Sequence, residues 1–309
     1  MGEPRRPGPP RAAIVAIGAR IPQPIPGPAG PEWRVSADEP WPPIRRGARM
    51  MSRGALLAAG AVHDALLALR VAEAAVGAEP VDPLQIGLFL GVGASAGSME
   101  DVLRLLRPAL QDGQWSGAAF ARRGVGACNP TLAFQLMNNF TLAHPAILEG
   151  LGGPNGAVFS RGVGTTLALR EAMWALQETD APYVIAGGAD SALHPVTASE
   201  LRRQGSRRPL GEGAAVFVLA REALAPLGWI ERAEDIDEPS ADEPSADEPF
   251  ADEPFEALAA GPALGWLRVL QGGALDRGAL DRGAAEAHHR DADGLRSRVT
   301  FTFAAGGPR

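Results

Sequence analysis

Residues Gly153–Asp190 read GPNGAVFSRGVGTTLALREAMWALQETDAPYVIAGGAD. Gly156 to Ser160 is a short strand pattern, residues 161–166 form a glycine-bearing turn, and Thr165 to Gln177 carries the composition of a strong helix. Tyr183 to Ala189, YVIAGGA, is a continuous apolar run, the pattern of a strand covered on both faces. Strand, turn, helix and strand in that order are the core of an α/β unit.

The same alternation extends in both directions. Toward the C-terminus, Gly213 to Ala220, GAAVFVLA, is another buried strand. Toward the N-terminus, Asn129 to Leu142 is a helix candidate, Ser98 to Leu110 a helix capped by Ser98, and Leu84 to Gly91, LQIGLFLG, a continuous apolar strand. Met51 to Val76 carries alanine and leucine at helical spacing with few polar faces, and Gly77 stops it. Arg11 to Ala19, RAAIVAIGA, opens the series as a strand ending at glycine. Buried strands alternating with helices predict an α/β fold with both sheet faces covered.

At 309 residues, 46% hydrophobic, the chain can bury a sizeable core. Its net charge of −7 is unevenly placed: residues 231–256 carry −11, which leaves the remainder at +4. The arginines of that remainder are scattered, with no aromatic-interleaved stripe, so nucleic-acid binding has little support. The proline-rich start lacks the apolar stretch of a signal peptide, and no window has the ~20 unbroken apolar residues of a spanning helix, so a cytoplasmic protein without a membrane span is expected. A single cysteine, Cys128, excludes an internal disulfide and a multi-cysteine zinc site, and neither a metal nor a cofactor is expected. All 29 basic residues are arginine, so no lysine amine exists for chemistry.

After Trp229 the repeated unit in EPSADEPSADEPFADEPF is acidic and proline-bearing, the composition of a solvated linker. The predicted partition is therefore residues 1–228, a linker over 229–256, and a remnant over 257–309, where Arg298 to Phe303 alternates as a strand.

Gly153-Pro154-Asn155, the turn at 161–166 and Ala186-Gly187-Gly188-Ala189-Asp190 resemble the centre of the β-ketoacyl synthase family, where GPN, a strand, a cysteine-bearing turn, a helix and AGGAE or AGGAD follow one another. MMSRGALLAAGAV at 50–62 resembles the family's RMSR helix, IGLFLGVGASAG its strand and glycine turn, and Gly211-Glu212-Gly213-Ala214 its GEGA turn. The likeness covers residues 11 to 222. It implies a thiolase-like layered α/β fold with a near-complete N-terminal half and a strongly reduced C-terminal half.

The departures imply silence. The family's cysteine sits at the N-terminus of a buried helix, where the dipole favours the thiolate that takes up the acyl chain. Counting from Asn155, that position falls on Gly162, flanked by Arg161, so no catalytic residue is expected. The family's two histidines, which serve the thioester oxyanion and malonyl decarboxylation, are also absent: the region for the first gives way to the acidic linker, and GPALG at 261–265 would put Pro262 in place of the second. FAAGG at 303–307 is a weak match to the family's GFGG turn. For Arg161, plugging the emptied pocket is preferred slightly over pairing with a carboxylate.

Such degenerate members resemble chain-length factors, which pair with an active ketosynthase. The resemblance implies a heterodimer in which the strand Gly156, Ala157, Val158, Phe159 and Ser160 runs beside its counterpart. Phe134, Met137, Asn138 and Phe140 then wall the partner's acyl tunnel. An acyl carrier protein is a possible second partner. A half-reduced fold should also leave apolar sheet surface exposed.

Two other classes stay open. Gly93-Ala94-Ser95-Ala96-Gly97 fits a GxSxG nucleophile elbow between strand and helix, which would make Ser95 a hydrolase nucleophile; a plain structural turn outranks it because no oxyanion loop precedes it. A scaffold or decayed synthase without a tunnel role is the other. His63 and His194 read as structural histidines, His288 and His289 as a solvated pair, and Cys128 as a buried free thiol.

Overall fold

The computed structural model describes residues 11–28, 30–36, 50–94, 97–236, 255–270, 284–290 and 296–303. The chain opens with β1 (Ala12–Arg20) and the hairpin β2 (Gln23–Gly27) and β3 (Gly30–Arg34). It continues through α1 (Arg53–Ala75), β4 (Gly87–Val92) and α2 (Met99–Leu106). A two-residue hairpin, β5 (Leu110–Gln111) and β6 (Gln114–Trp115), and one-turn helices α3 (Gly117–Ala119) and α4 (Val125–Ala127) precede α5 (Leu132–Leu136) and α6 (Phe140–Glu149). Then come β7 (Asn155–Val158), α7 (Arg161–Glu178), β8 (Val184–Ser191), α8 (Pro195–Arg203), β9 (Glu212–Ala220) and β10 (Gly228–Ile236). Helix α9 (Ala260–Leu270) and strands β11 (Ala284–Arg290) and β12 (Arg296–Phe303) complete the order.

Eight strands form one mixed sheet in the order β11-β12-β10-β1-β9-β8-β4-β7. Only the β4–β7 and β4–β8 pairs are parallel, with Leu90 opposite both Ala157 and Gly187. Strands β8 and β9 are apolar nearly throughout and buried on both faces, as their unbroken hydrophobic runs require. On one face α1 lies on β1, β8 and β9 with α6 beside it, and its Leu57, Val62 and Leu69 pack against Leu88, Leu90 and Val218. Ser52 caps α1 by accepting from the Ala55 amide, and Gly77 at φ +69° turns the chain away after Val76. By length and composition α1 could cross a membrane, yet Leu57, Val62, Leu66 and Leu69 are buried in this core.

Helices α7 and α9 occupy the other face, between the two halves of the sheet. Helix α7 touches β4 and β8 on one side and β10, β11 and β12 on the other. Leu169, Met173, Leu176 and Trp266 meet Phe217 from β9 and Phe301 from β12. Met173 and Leu176 are each 0% exposed, and burying side chains of this size is worth about 2–3 kcal/mol apiece.

Four expectations need correction. The helix predicted to Leu110 ends at Leu106, because the ring of Pro108 cannot continue it. The helix predicted over 129–142 is two: the chain leaves helical geometry at Met137, and the Asn138-Asn139 pair, whose side chains compete for backbone groups, precedes α6. Residues 229–236, placed in the linker, are most of β10, because Ile230 and Ala233 turn inward against the core while Glu231 and Glu234 pair with β12 side chains outside it. The remaining linker residues 237–254 lie outside the described ones.

The fourth concerns the open sheet face. It is polar, not apolar: β12 alternates, with Ser297, Val299 and Phe301 inward. On the outer side Arg298 pairs with Glu234, and Thr302 Oγ1 donates to Glu231 Oε1 at 2.7 Å.

Candidate functional site

Three features converge around the β4, β7 and β8 end of the sheet. The first is the start of α7. The expected turn is already helical, with the Gly164 amide donating to the Ser160 carbonyl at 2.7 Å. Gly162 is buried as the second residue of the helix. Thr165 Oγ1 donates to the Ala259 carbonyl, and Thr166 Oγ1 meets Ser297 Oγ at 2.8 Å, so β12 and the segment leading into α9 close over this end. On the sheet side, a Cβ on Gly91 or Gly188 would overlap Thr165. Glycine at those positions lets the helix sit directly on the strands.

Residues 162–166 thus supply buried backbone and two threonine hydroxyls, both hydrogen-bonded, and no thiol. Cys128 ends α4, is partly exposed rather than buried, and donates to the Asn129 carbonyl at 3.3 Å. His289 is partly buried rather than solvated, close to Gly261 at the head of α9. The side chains of Arg161 and His288 lie outside the described residues, as does Ser95.

The second feature is an open edge. Strand β7 pairs with β4 alone among the described residues, and α6 lies against it. Phe159 just beyond it is 58% exposed and Ile147 of α6 is 73% exposed. Gly156 and Val158 are half-buried, Ala157 and Ser160 lie with them along the strand and its end, and the segment meets solvent on one side. Of the residues expected to form a tunnel wall, Phe134 and Phe140 meet edge to face at 5.1 Å, while Met137 is exposed and Asn138 half-buried. His144 sits beneath Phe140, its Nε2 3.2 Å from the Met50 carbonyl, and burial lowers its pKa, which keeps the ring neutral at pH 7.

The third feature is a cleft of about 400 Å³ beyond the ends of β4 and β8, with Arg53, Ser98, Asp190, Ser191, His194 and Glu212 on its walls. Glu212 accepts from the Val35 amide at 3.2 Å, Arg53 Nε at 3.0 Å and the Ser191 hydroxyl at 3.0 Å. Those donors stabilise its charge and fix three separate segments to one carboxylate. Asp190 accepts from the amides of Ser191 at 2.7 Å and Ala259 at 3.3 Å, and burial nevertheless pushes its pKa up to about 7. A Cβ on Gly93 would overlap the Asp190 carboxylate, so this turn needs glycine for close approach.

His194 caps α8, its Nδ1 accepting from the Val196 amide at 3.3 Å. Its Nε2 is buried, and burial lowers its pKa against the opposing pull of the Gly97 backbone. His63 pairs with Glu149 at 2.9 Å, a structural role as expected. Among the described residues no group of three His, Cys, Asp or Glu side chains could hold a metal.

The Arg53–Glu212 pair was not foreseen; its only sequence signals are the arginine of MSR and the glutamate of GEGA. Glu212→Ala strips three donors of their acceptor and should cost about 3 kcal/mol in urea denaturation. A loss under about 1 kcal/mol would mean that water replaces the carboxylate freely.

The β-ketoacyl synthase N-terminal domain family model matches residues 44–225. The chain belongs to the β-ketoacyl synthase family. Among solved structures it is similar to a β-ketoacyl synthase from Burkholderia phymatum STM815, with TM-score 0.70 at 14% identity over 96% of this chain and 100% of that one. The ishigamide ketosynthase/chain length factor gives TM-score 0.62 at 17% identity over 95% and 99% of the two chains. A type II polyketide synthase acyl-carrier protein in complex with its ketosynthase bound to the hexaketide gives TM-score 0.67 at 13% identity over 96% and 100%. These likenesses show the ketosynthase, thiolase-like fold. No curated protein sequence matches the chain.

Proposed function

We propose that this chain is a non-catalytic, chain-length-factor-like subunit that pairs in the cytoplasm with an active β-ketoacyl-carrier-protein synthase in polyketide or fatty-acid-like chain building. The observation that carries the reading is Gly162, buried at the second position of α7, where the family places its acyl-accepting cysteine. With glycine there, the dipole of an 18-residue helix has no thiolate to stabilise and no nucleophile takes up an acyl group, and no lysine exists to assist one. The three-part organisation with a reduced C-terminal half belongs to the same proposal.

Partnership draws support from the edge. Among the described residues the outer side of strand β7 pairs with no other strand, and Phe159, Ile147 and Leu148 border it with exposed apolar surface. An extended strand of a second subunit would satisfy the backbone groups and cover the apolar ones together. Phe134, Met137, Asn138 and Phe140 are then the residues offered to the partner's acyl tunnel, and an acyl carrier protein would reach the pair through the active subunit.

Co-expression with an active ketosynthase should yield an equimolar complex on size exclusion. Phe159→Asp should weaken that complex at least ~tenfold, consistent with the cost of burying an unpaired charge, without lowering the melting temperature of the isolated chain. A chain that stays soluble alone and captures no ketosynthase would refute the pairing.

A further inference from the structure

A second cavity, of about 380 Å³, lies on another part of the surface, where Pro31 and Glu32 of β3 face Arg202, Ser206, Arg207 and Arg208. The segment Arg202–Arg208, RRQGSRR, carries four arginines and no acid. Arg203 is engaged by Glu200 of its own helix at 2.6 Å. Arg202 and Arg207 are exposed and have no ion pair among the described residues. The only carboxylate on the wall among the described residues, Glu32, pairs with Arg34 at 2.8 Å. The Ser206 hydroxyl is buried with no hydrogen-bond partner among the described residues, an arrangement that costs free energy until an acceptor arrives. The cavity is therefore a cationic site with a spare donor.

The end of the acidic repeat is fixed beside it. Phe255 closes the fourth DEP unit of the repeat. It is 1% exposed and stacks on Trp33 at 4.9 Å between ring centroids. Its neighbour Glu256 donates its amide to the Pro209 carbonyl at 2.7 Å and accepts from the Gly211 amide at 2.9 Å. Leu210 and Glu256 form a parallel bridge, so the two chains approach this point running the same way.

We propose that the arginine-lined cleft is the docking surface of the chain's own acidic repeat, residues 237–254. That segment carries eight carboxylates and no basic residue, and it ends immediately before a buried, hydrogen-bonded anchor. Carboxylate and guanidinium match in charge and in bidentate geometry, and a carboxylate oxygen would also satisfy the Ser206 hydroxyl. The covalent tether holds the acids at a high effective concentration, so each weak surface pair need contribute little. An acidic partner would have to displace the repeat to use these arginines.

The test is phenylglyoxal modification of the full chain, with rates at individual arginines read by peptide mass spectrometry. One protein is unaltered; the other carries Asp242→Asn, Glu243→Gln, Asp247→Asn, Glu248→Gln, Asp252→Asn and Glu253→Gln, which keep length and shape but remove charge. Neutralising the repeat should speed modification of Arg202 and Arg207 about fivefold, the scale of a surface ion-pair network, and leave Arg70 on α1 unchanged. High salt should give the same release in the unaltered protein, which guards against an effect of the substitutions on folding. Unchanged rates at Arg202 and Arg207, in the variant or in high salt, overturn the proposal. Protection that grows with protein concentration also overturns it, by identifying the occupant as a second copy.

Discussion

Gly18→Val should abolish cooperative folding or cost more than about 4 kcal/mol in denaturant titration. A Cβ at Gly18 would overlap the Ala61 carbonyl oxygen and the backbone nitrogen of Ala65, both on α1. Since the obstacles are main-chain atoms, no side-chain rotation relieves them. Helix α1 must lift from β1, and the contacts of Leu57, Val62 and Leu69 with the sheet go with it. Gly117→Ala is the control: nothing lies within 4 Å of its Cβ, so stability should change by less than about 0.5 kcal/mol. If both variants melted alike, close packing of α1 on β1 would be the wrong account of this core.

The second large effect is a dependence on pH centred on Asp190. Its folded-state pKa, raised from 3.8 to about 7 by burial, lies above that of the unfolded chain. Between about pH 4 and pH 7 the folded state therefore holds a proton that the unfolded state has released, so stability falls as pH rises through this window. The penalty is fully developed above pH 7 and is on the order of 4 kcal/mol. Denaturant midpoints measured across the window should show this slope in the unaltered protein, and Asp190→Asn should flatten it. The amide also turns a donor toward one of the amides of Ser191 and Ala259, so the variant is expected to be less stable at pH 4 even as its profile flattens. A slope that survives the substitution would assign the effect to other groups.

Much of this architecture is legible in the chain itself. The alanine and leucine spacing of α1 and the unbroken apolar runs of β8 and β9 report burial directly, because hydrophobic periodicity is what the core selects. Gly162 could be placed by counting from Asn155, since strand and turn lengths fix the offset. What escaped was set by tertiary contact. The Arg53–Glu212 pair joins residues 159 apart, and neither neighbourhood announces the other. The raised pKa of Asp190 comes from burial beneath Gly93 and the segment entering α9, which no local pattern encodes. The polar outer face of β12 was visible in its alternation, but the pairing of Arg298 with Glu234 that holds it is set by the register of β12 on β10.

The bare edge of β7 also bears on the chain's behaviour in isolation. Edge strands are commonly guarded by proline, lysine or a bulge, and Asn155–Val158 has neither of those residues and a regular register with β4. The backbone groups of such an edge can pair with a strand of an identical chain as well as with one of a different subunit. Self-association would then begin as a bimolecular encounter, with a rate rising as the square of concentration. On the proposed pairing, the ratio of the two subunits during synthesis, more than the affinity of the finished pair, would decide how much of this chain reaches a productive assembly.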